Sequence, residues 1–297
     1  MNETPIVISR PLHHLVGMLH RSTGRQDVGV LMMVAGGPQY RIGGHRQLVL
    51  WARKLAAQGF PVLRFDFSGM GDSSGESLGF DQVEEQVRDA VDRMFRETPS
   101  MTSVVLWGEC NACSASLFYA HQDTRVSGVV MLNPWVRTEQ GQAKTVVRHY
   151  YLNRIKQRAF WGKLFRLEFD AWGSLQSALK LVKASLAPQG VVPAAAARAS
   201  AQADKDLPLP DRMLYGLTRY KGSMMLVMSG RDMIATEFDV LLKSSPAWRQ
   251  ALADRQTVRH DLPYADHTFS TAQWRDQVAA WGIEWLGNLN AVPKTSL

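Results

Sequence analysis

Short β-rich runs alternate with amphipathic helical stretches along most of this chain, and that alternation leaves few architectures open to it. Residues 28–35 form an apolar run ending in Gly36-Gly37-Pro38. Residues 46–58 carry Leu48, Leu50, Trp51, Leu55 and Ala56 at helical spacing and stop at Gly59, and residues 61–65 follow as a buried-type strand. Residues 82–98 repeat the helix with Val83, Val87, Ala90, Val91 and Met94 on one face. They precede a strand at 103–107, a helix at 112–122 and a strand at 126–132. Repeated strand–helix–strand units predict an α/β fold: a mostly parallel central sheet with helices on both faces and its ligand crevice beyond the carboxyl ends of the strands.

The alternation stops at Asn133-Pro134-Trp135 and resumes near Ser223. A helical, basic and aromatic stretch, 144–183, and an Ala/Pro-rich segment, 187–203, lie between. Residues 137–221 are therefore expected to form a helical cap inserted between two parts of the sheet domain, 1–136 and 222–297. A strand at 224–229, a helix at 235–242, a last strand at 257–262 and a closing helix at 271–289 complete the second part. Residues 6–19 are expected to add antiparallel edge strands.

The net charge of +7 is concentrated in one segment, since residues 137–221 hold 15 Lys or Arg against 6 Asp or Glu. That basic segment, with Trp135, Tyr150, Tyr151, Trp161, Phe165 and Trp172, is consistent with a solvated surface or with weak contact to an anionic membrane. No nucleic-acid partner is expected. No apolar run reaches the length of a membrane-spanning helix, and the first residues lack a signal-peptide pattern, so the expected compartment is the cytoplasm. Cys110 and Cys113 are the only cysteines, and their three-residue spacing makes a poor disulfide staple for a chain of this size.

The segment Gly108-Glu109-Cys110-Asn111-Ala112 sits where a strand turns into a helix. It reads as a nucleophile elbow with cysteine in place of serine, small residues standing two positions either side of the strained turn. Asp232 follows the strand at 224–229, and His267 follows the strand at 257–262. A thiol needs a base to form thiolate, and the imidazole needs a carboxylate to fix its tautomer; His267 and Asp232 suit those roles. Asp266 and Glu237 compete with Asp232 as the acid. The loop 35–39 is expected to supply an oxyanion amide from Gly37 or Gln39, with the second from Asn111. Tyr40, Arg41, His45 and Trp135 are candidate substrate contacts. No metal or organic cofactor is implied. Cys110-Asn111-Ala112-Cys113 also matches a redox C-x-x-C, but such a domain has no use for Asp232 and His267 at later strand ends. Asp66-Phe67-Ser68-Gly69-Met70-Gly71-Asp72-Ser73 lacks the glycine spacing and the directly following helix of a dinucleotide site. It reads instead as a loop tied together by its Asp.

The order of nucleophile, acid and base, with a cap after the sixth strand, resembles the α/β-hydrolase fold across essentially the whole chain. Within it, four segments resemble the exosortase A system-associated hydrolase family, type 1. They are Gly36-Gly37-Pro38-Gln39-Tyr40-Arg41 with Gly43-Gly44-His45-Arg46, Arg64 through Ser73, Trp107-Gly108-Glu109-Cys110, and Ser229-Gly230-Arg231-Asp232. The resemblance implies a bacterial cytoplasmic hydrolase encoded beside exopolysaccharide and exosortase functions, with Cys110, Asp232 and His267 matching its triad, and implies no particular substrate; the expected partner is a small-molecule acyl substrate. That family's pattern has Asp after the nucleophile where this chain has Asn111. The cysteine elbow also resembles those of dienelactone hydrolases and of cysteine-dependent acyl-CoA amino-acid acyltransferases, so acyl transfer stands beside hydrolysis as an outcome.

Overall fold

The computed structural model describes residues 2–24, 26–33, 39–136, 204–255 and 257–289. In chain order these form β1 (Asn2–Ser9), β2 (His14–Arg21), β3 (Val28–Met33), α1 (Gln47–Ala57), β4 (Val62–Phe65), α2 (Glu84–Glu97), β5 (Ser103–Glu109), α3 (Asn111–Ala120) and β6 (Val126–Leu132). The second part adds α4 (Leu209–Arg219), β7 (Ser223–Ser229), α5 (Met233–Ser244), α6 (Pro246–Ala253), β8 (Val258–Leu262) and α7 (Ala272–Asn288). The eight strands make one sheet in the order β1-β2-β4-β3-β5-β6-β7-β8. β1 and β2 pair antiparallel at one edge, β2 also pairs antiparallel with β4, and β3 through β8 run parallel to one another. This is the α/β fold expected from the alternation.

The central strands β3 to β6 are buried along their whole length, because helices cover both faces and leave no polar side to the alternation. Successive residues of β5 serve opposite faces. Val104 and Leu106 join a core with α2, α3, α4, α5 and α6, while Val105 and Trp107 join another with α1 and α7. In the second layer Trp51 lies 5.8 Å from Trp107, ring centroid to ring centroid. Gly282 lets α7 approach, since a Cβ there would stand 2.5 Å from the Trp107 ring.

Two features depart from the sequence reading. Helix α6 was not anticipated, although Ser245 accepts a hydrogen bond from the Trp248 N–H and Pro246 opens the helix, both ordinary start signals. Helix α4 falls inside the stretch expected as a cap, yet it packs on α3, with Met213 and Leu217 in the sheet's core. Gly216 permits the contact, because a Cβ there would lie 2.1 Å from the Leu117 carbonyl oxygen. The rest of that stretch, 137–203, lies outside the described residues, as does Gly37. Among the described residues no helix is long and apolar enough to cross a membrane.

Candidate active site

β5 delivers Cys110 to the carboxyl edge of the sheet in a backbone conformation that L-residues rarely adopt, φ 56° and ψ −124°. Such a conformation costs about 1–3 kcal/mol and persists only where its surroundings hold it. Here both backbone groups of Cys110 are pinned. Its N–H donates to the Leu132 carbonyl at 2.9 Å, and its carbonyl accepts from the N–H groups of Cys113 and Trp135 at 3.1 and 3.2 Å. The strand and helix cross so tightly that a Cβ at Gly108 would lie 2.6 Å from the Ala112 carbonyl oxygen. Glycine is therefore demanded two residues before the turn, whereas alanine fits two residues after it.

His267 lies in the connection between β8 and α7, and its Nδ1 is 2.7 Å from Asp232 Oδ2. Asp232 is the N-cap of α5. Its carboxylate accepts the Ile234 and Ala235 N–H groups at 3.0 and 3.2 Å, so the bonds that start the helix also fix the rotamer facing His267. Cys110 is the second group that acts on the imidazole. Burial pulls its pKa down, but the Asp232 hydrogen bond and the charges of Asp232 and Cys110 outweigh this and hold it at about 10. The competing acids turn elsewhere. Asp266 accepts from the N–H and hydroxyl of Ser270, and Glu237 is buried within α5.

Asn133 was read from the sequence only as the point where the alternation breaks. It is fully buried, adopts φ 48°, and joins three elements. Its Nδ2 donates to Ser229 Oγ at 2.9 Å and to the His267 carbonyl at 2.8 Å, while its Oδ1 accepts the Ser229 N–H at 2.8 Å. An Asn before Pro at a strand end, able to take a left-handed turn, was the available signal.

Glu109 is a second residue that the sequence reading passed over. Its Oε2 lies 2.5 Å from Gln47 Nε2, and its Oε1 has no hydrogen-bond partner among the described residues. Burial raises its pKa to about 7, against the opposing influence of His267 and the Gln47 hydrogen bond.

The expected oxyanion and substrate residues fall into separate groups. Asn111 begins α3 directly after Cys110, and Gln39 is exposed at the start of its loop. Trp135 reaches the elbow through its backbone bond to Cys110. His45 is exposed at φ 51°, beside Gly44, where a Cβ would lie 3.4 Å from the Thr268 side chain. Arg41 and Tyr40 instead tie the loop to the end of β4. Arg41 Nη1 pairs with Asp66 and Asp72 at 2.5 and 2.8 Å, and the Tyr40 hydroxyl donates to Asp72 at 2.8 Å. Asp66 also accepts the N–H groups of Arg41 and Asp72, which is the turn-holding role its loop pattern suggested. Cys113 is fully buried and its thiol donates to the Gly108 and Leu132 carbonyls; burial pushes its pKa well up, the opposite of a redox-active partner thiol.

A cavity of about 420 Å³ lies on the far side of β7, lined by Thr236, Asp239, Lys243 and Asp261 among others. It does not include Cys110 or His267, so the chemistry of the strand ends, rather than this hollow, locates the site.

A family model described as "Alpha/beta hydrolase family" matches residues 32–281. Among solved structures, the esterase Pf2001 of Pyrococcus furiosus superposes with a TM-score of 0.60 at 14% identity, covering 97% of this chain and 93% of that one. A dienelactone hydrolase from Anabaena variabilis superposes at 0.57 and 16% identity, covering 97% and 98%. The α/β hydrolase GrgF from a Penicillium species superposes at 0.61 and 17%, covering 98% and 100%. At these identities the likeness is one of fold. No curated protein sequence matches the chain.

Proposed function

Because the chain belongs to the α/β hydrolase family, we propose that it cleaves an ester, thioester or related acyl bond through a covalent intermediate on Cys110. One observation carries this reading: a strained, backbone-pinned cysteine stands at the elbow, and the histidine on which its charge acts has Nδ1 facing a helix-capping carboxylate. With Nδ1 directed at Asp232, the ring carries the proton taken from the thiol, and sulfur attacks the acyl carbonyl as a thiolate beside the imidazolium. The tetrahedral oxyanion is held by the Asn111 N–H and an amide of Gly37 or Gln39, each worth about 3–4 kcal/mol to the transition state. Collapse breaks the bond to the leaving alcohol or thiol, which departs with the proton from His267. Water then attacks the acyl-cysteine, His267 accepts its proton, and the carboxylic acid leaves as the thiol is restored.

Residues 137–208, ahead of α4, serve in this reading as an inserted segment that selects the acyl group. The resemblance of residues 36–46, 64–73, 107–110 and 229–232 to exosortase A system-associated hydrolases supports a link to exopolysaccharide and exosortase systems. Intact-mass measurement after treatment with an iodoacetamide-type probe and a fluorophosphonate tests the nucleophile. One adduct on Cys110, lost in His267→Ala, is expected, and nitrophenyl-ester hydrolysis is expected to vanish in Cys110→Ala. Wild-type turnover in Cys110→Ala would sink the mechanism, and added amine or alcohol acceptors separate hydrolysis from acyl transfer by their products.

A further inference from the structure

β8 closes the sheet, and among the described residues no strand pairs with its outer side. The Gly230 N–H donates to the Leu262 carbonyl, so residues 258, 260 and 262 direct their backbone groups toward β7. Arg259 and Asp261 therefore send their N–H and C=O groups outward. Their side chains share one sheet face, where Arg259 pairs with Asp239 and Asp261 at 2.8 and 2.7 Å. His260 lies on the other face, stacked on Trp281 at 4.2 Å between ring centroids. Val258, 41% exposed, shares that second face.

The order Arg259-His260-Asp261 is its own complement when reversed. A second copy laid antiparallel, with the two-fold axis through His260, sets each Arg259 opposite the partner's Asp261. Both of those pairs are of the hydrogen-bonded kind, exchanging N–H···O=C in each direction, and opposite charges stand side by side. Val258 then meets the partner's Leu262 across the other face. Slipping the register by two residues opposes Arg259 to Arg259 or Asp261 to Asp261. A one-residue slip matches outward backbone groups with inward ones, and parallel pairing again opposes like charges. One register alone satisfies backbone and charge together, and it is the closed, two-fold one. We propose that the chain forms a dimer by antiparallel pairing of β8 with β8 of a second copy about His260, making one continuous sheet from the two eight-stranded sheets.

Sedimentation equilibrium of the full chain is expected to give twice the 33.2 kDa chain mass. R259D and D261R each oppose like charges and are expected to weaken the dimer at least tenfold, while the double variant R259D/D261R restores the opposite-sign pair and the dimer. Thermal melts check that each variant is folded, since R259D also faces Asp239. Independently, H260C is expected to cross-link to its own copy under mild oxidation, because the facing Cα atoms of a non-hydrogen-bonded pair stand about 4.5 Å apart, within disulfide reach. V7C on the opposite edge, where Val7 is 51% exposed, is expected to remain uncross-linked. A monomeric wild type, a dimer indifferent to both single variants, a folded double variant that stays monomeric, or an H260C that cross-links no faster than V7C would each overturn the proposal.

Discussion

Replacing Glu109 with glutamine is expected to stabilise the protein at pH 8 and to change it little at pH 5. The carboxyl is buried directly before the nucleophile, with Gln47 as its hydrogen-bond partner and Oε1 unsatisfied, and burial raises its pKa from 4.5 to about 7. A folded-state pKa above the unfolded value means that the folded protein binds this proton more tightly. The resulting stability is fully present below pH 4.5 and is lost as pH rises through 7. At 1.36 kcal/mol per pH unit, the interval corresponds to about 3 kcal/mol at pH 8 and under about 1 kcal/mol at pH 5. Glutamine preserves the shape of the protonated acid and cannot ionise, so E109Q avoids the loss. At roughly 2 °C per kcal/mol for a chain of this size, the gain at pH 8 is about 6 °C in melting temperature. Urea unfolding of both proteins at both pH values measures the double difference, in which the other titrating groups cancel. An equal stability gap at pH 5 and pH 8, or a gap that shrinks toward pH 8, would refute the buried neutral carboxyl.

Asp232→Asn removes the charge that most directly opposes the effect of burial on His267. The imidazole's titration midpoint, read by NMR from its Cε1 proton, is expected to fall from about 10 toward or below its ordinary 6.5, and turnover to drop on the order of 10³–10⁴-fold; an unmoved midpoint would assign the orienting acid elsewhere. Asn133→Ala strands the Ser229 N–H and releases the His267 carbonyl, so a stability loss of about 2–4 kcal/mol in urea is expected. Because it loosens the base without touching the thiol, kcat should fall while stoichiometric alkylation of Cys110 is retained.

The sheet was legible in the sequence because its signal is local. Buried parallel strands are short apolar runs, and each helix between them repeats its apolar face every three to four residues. Val126–Leu132 was read to the residue for that reason, and Asp232 and His267 were singled out because a parallel sheet collects its functional groups at strand ends. What escaped depends on contacts distant in sequence. Asn133 looked like a strand terminator because nothing near it shows that its amide reaches residues 96 and 134 positions away. Glu109 looked like the variable residue of an elbow; only its packing against Gln47, 62 positions earlier, makes it a buried acid. Arg41 looked like a substrate contact because its two carboxylate partners sit in a loop on another strand. Helix α4 seemed part of the cap since its basic composition continues that segment, while its apolar stripe at Met213 and Leu217 is matched to α3.

The end of β6 organises the site more than the elbow's own helix does. Leu132 holds the Cys110 N–H, Asn133 holds the His267 carbonyl, and Trp135 donates to the Cys110 carbonyl. Cys110 and His267 thus hang from successive residues of one strand end, Leu132 and Asn133. The same residues mark where the chain leaves the sheet, at Pro134, to enter the segment from 137 onward.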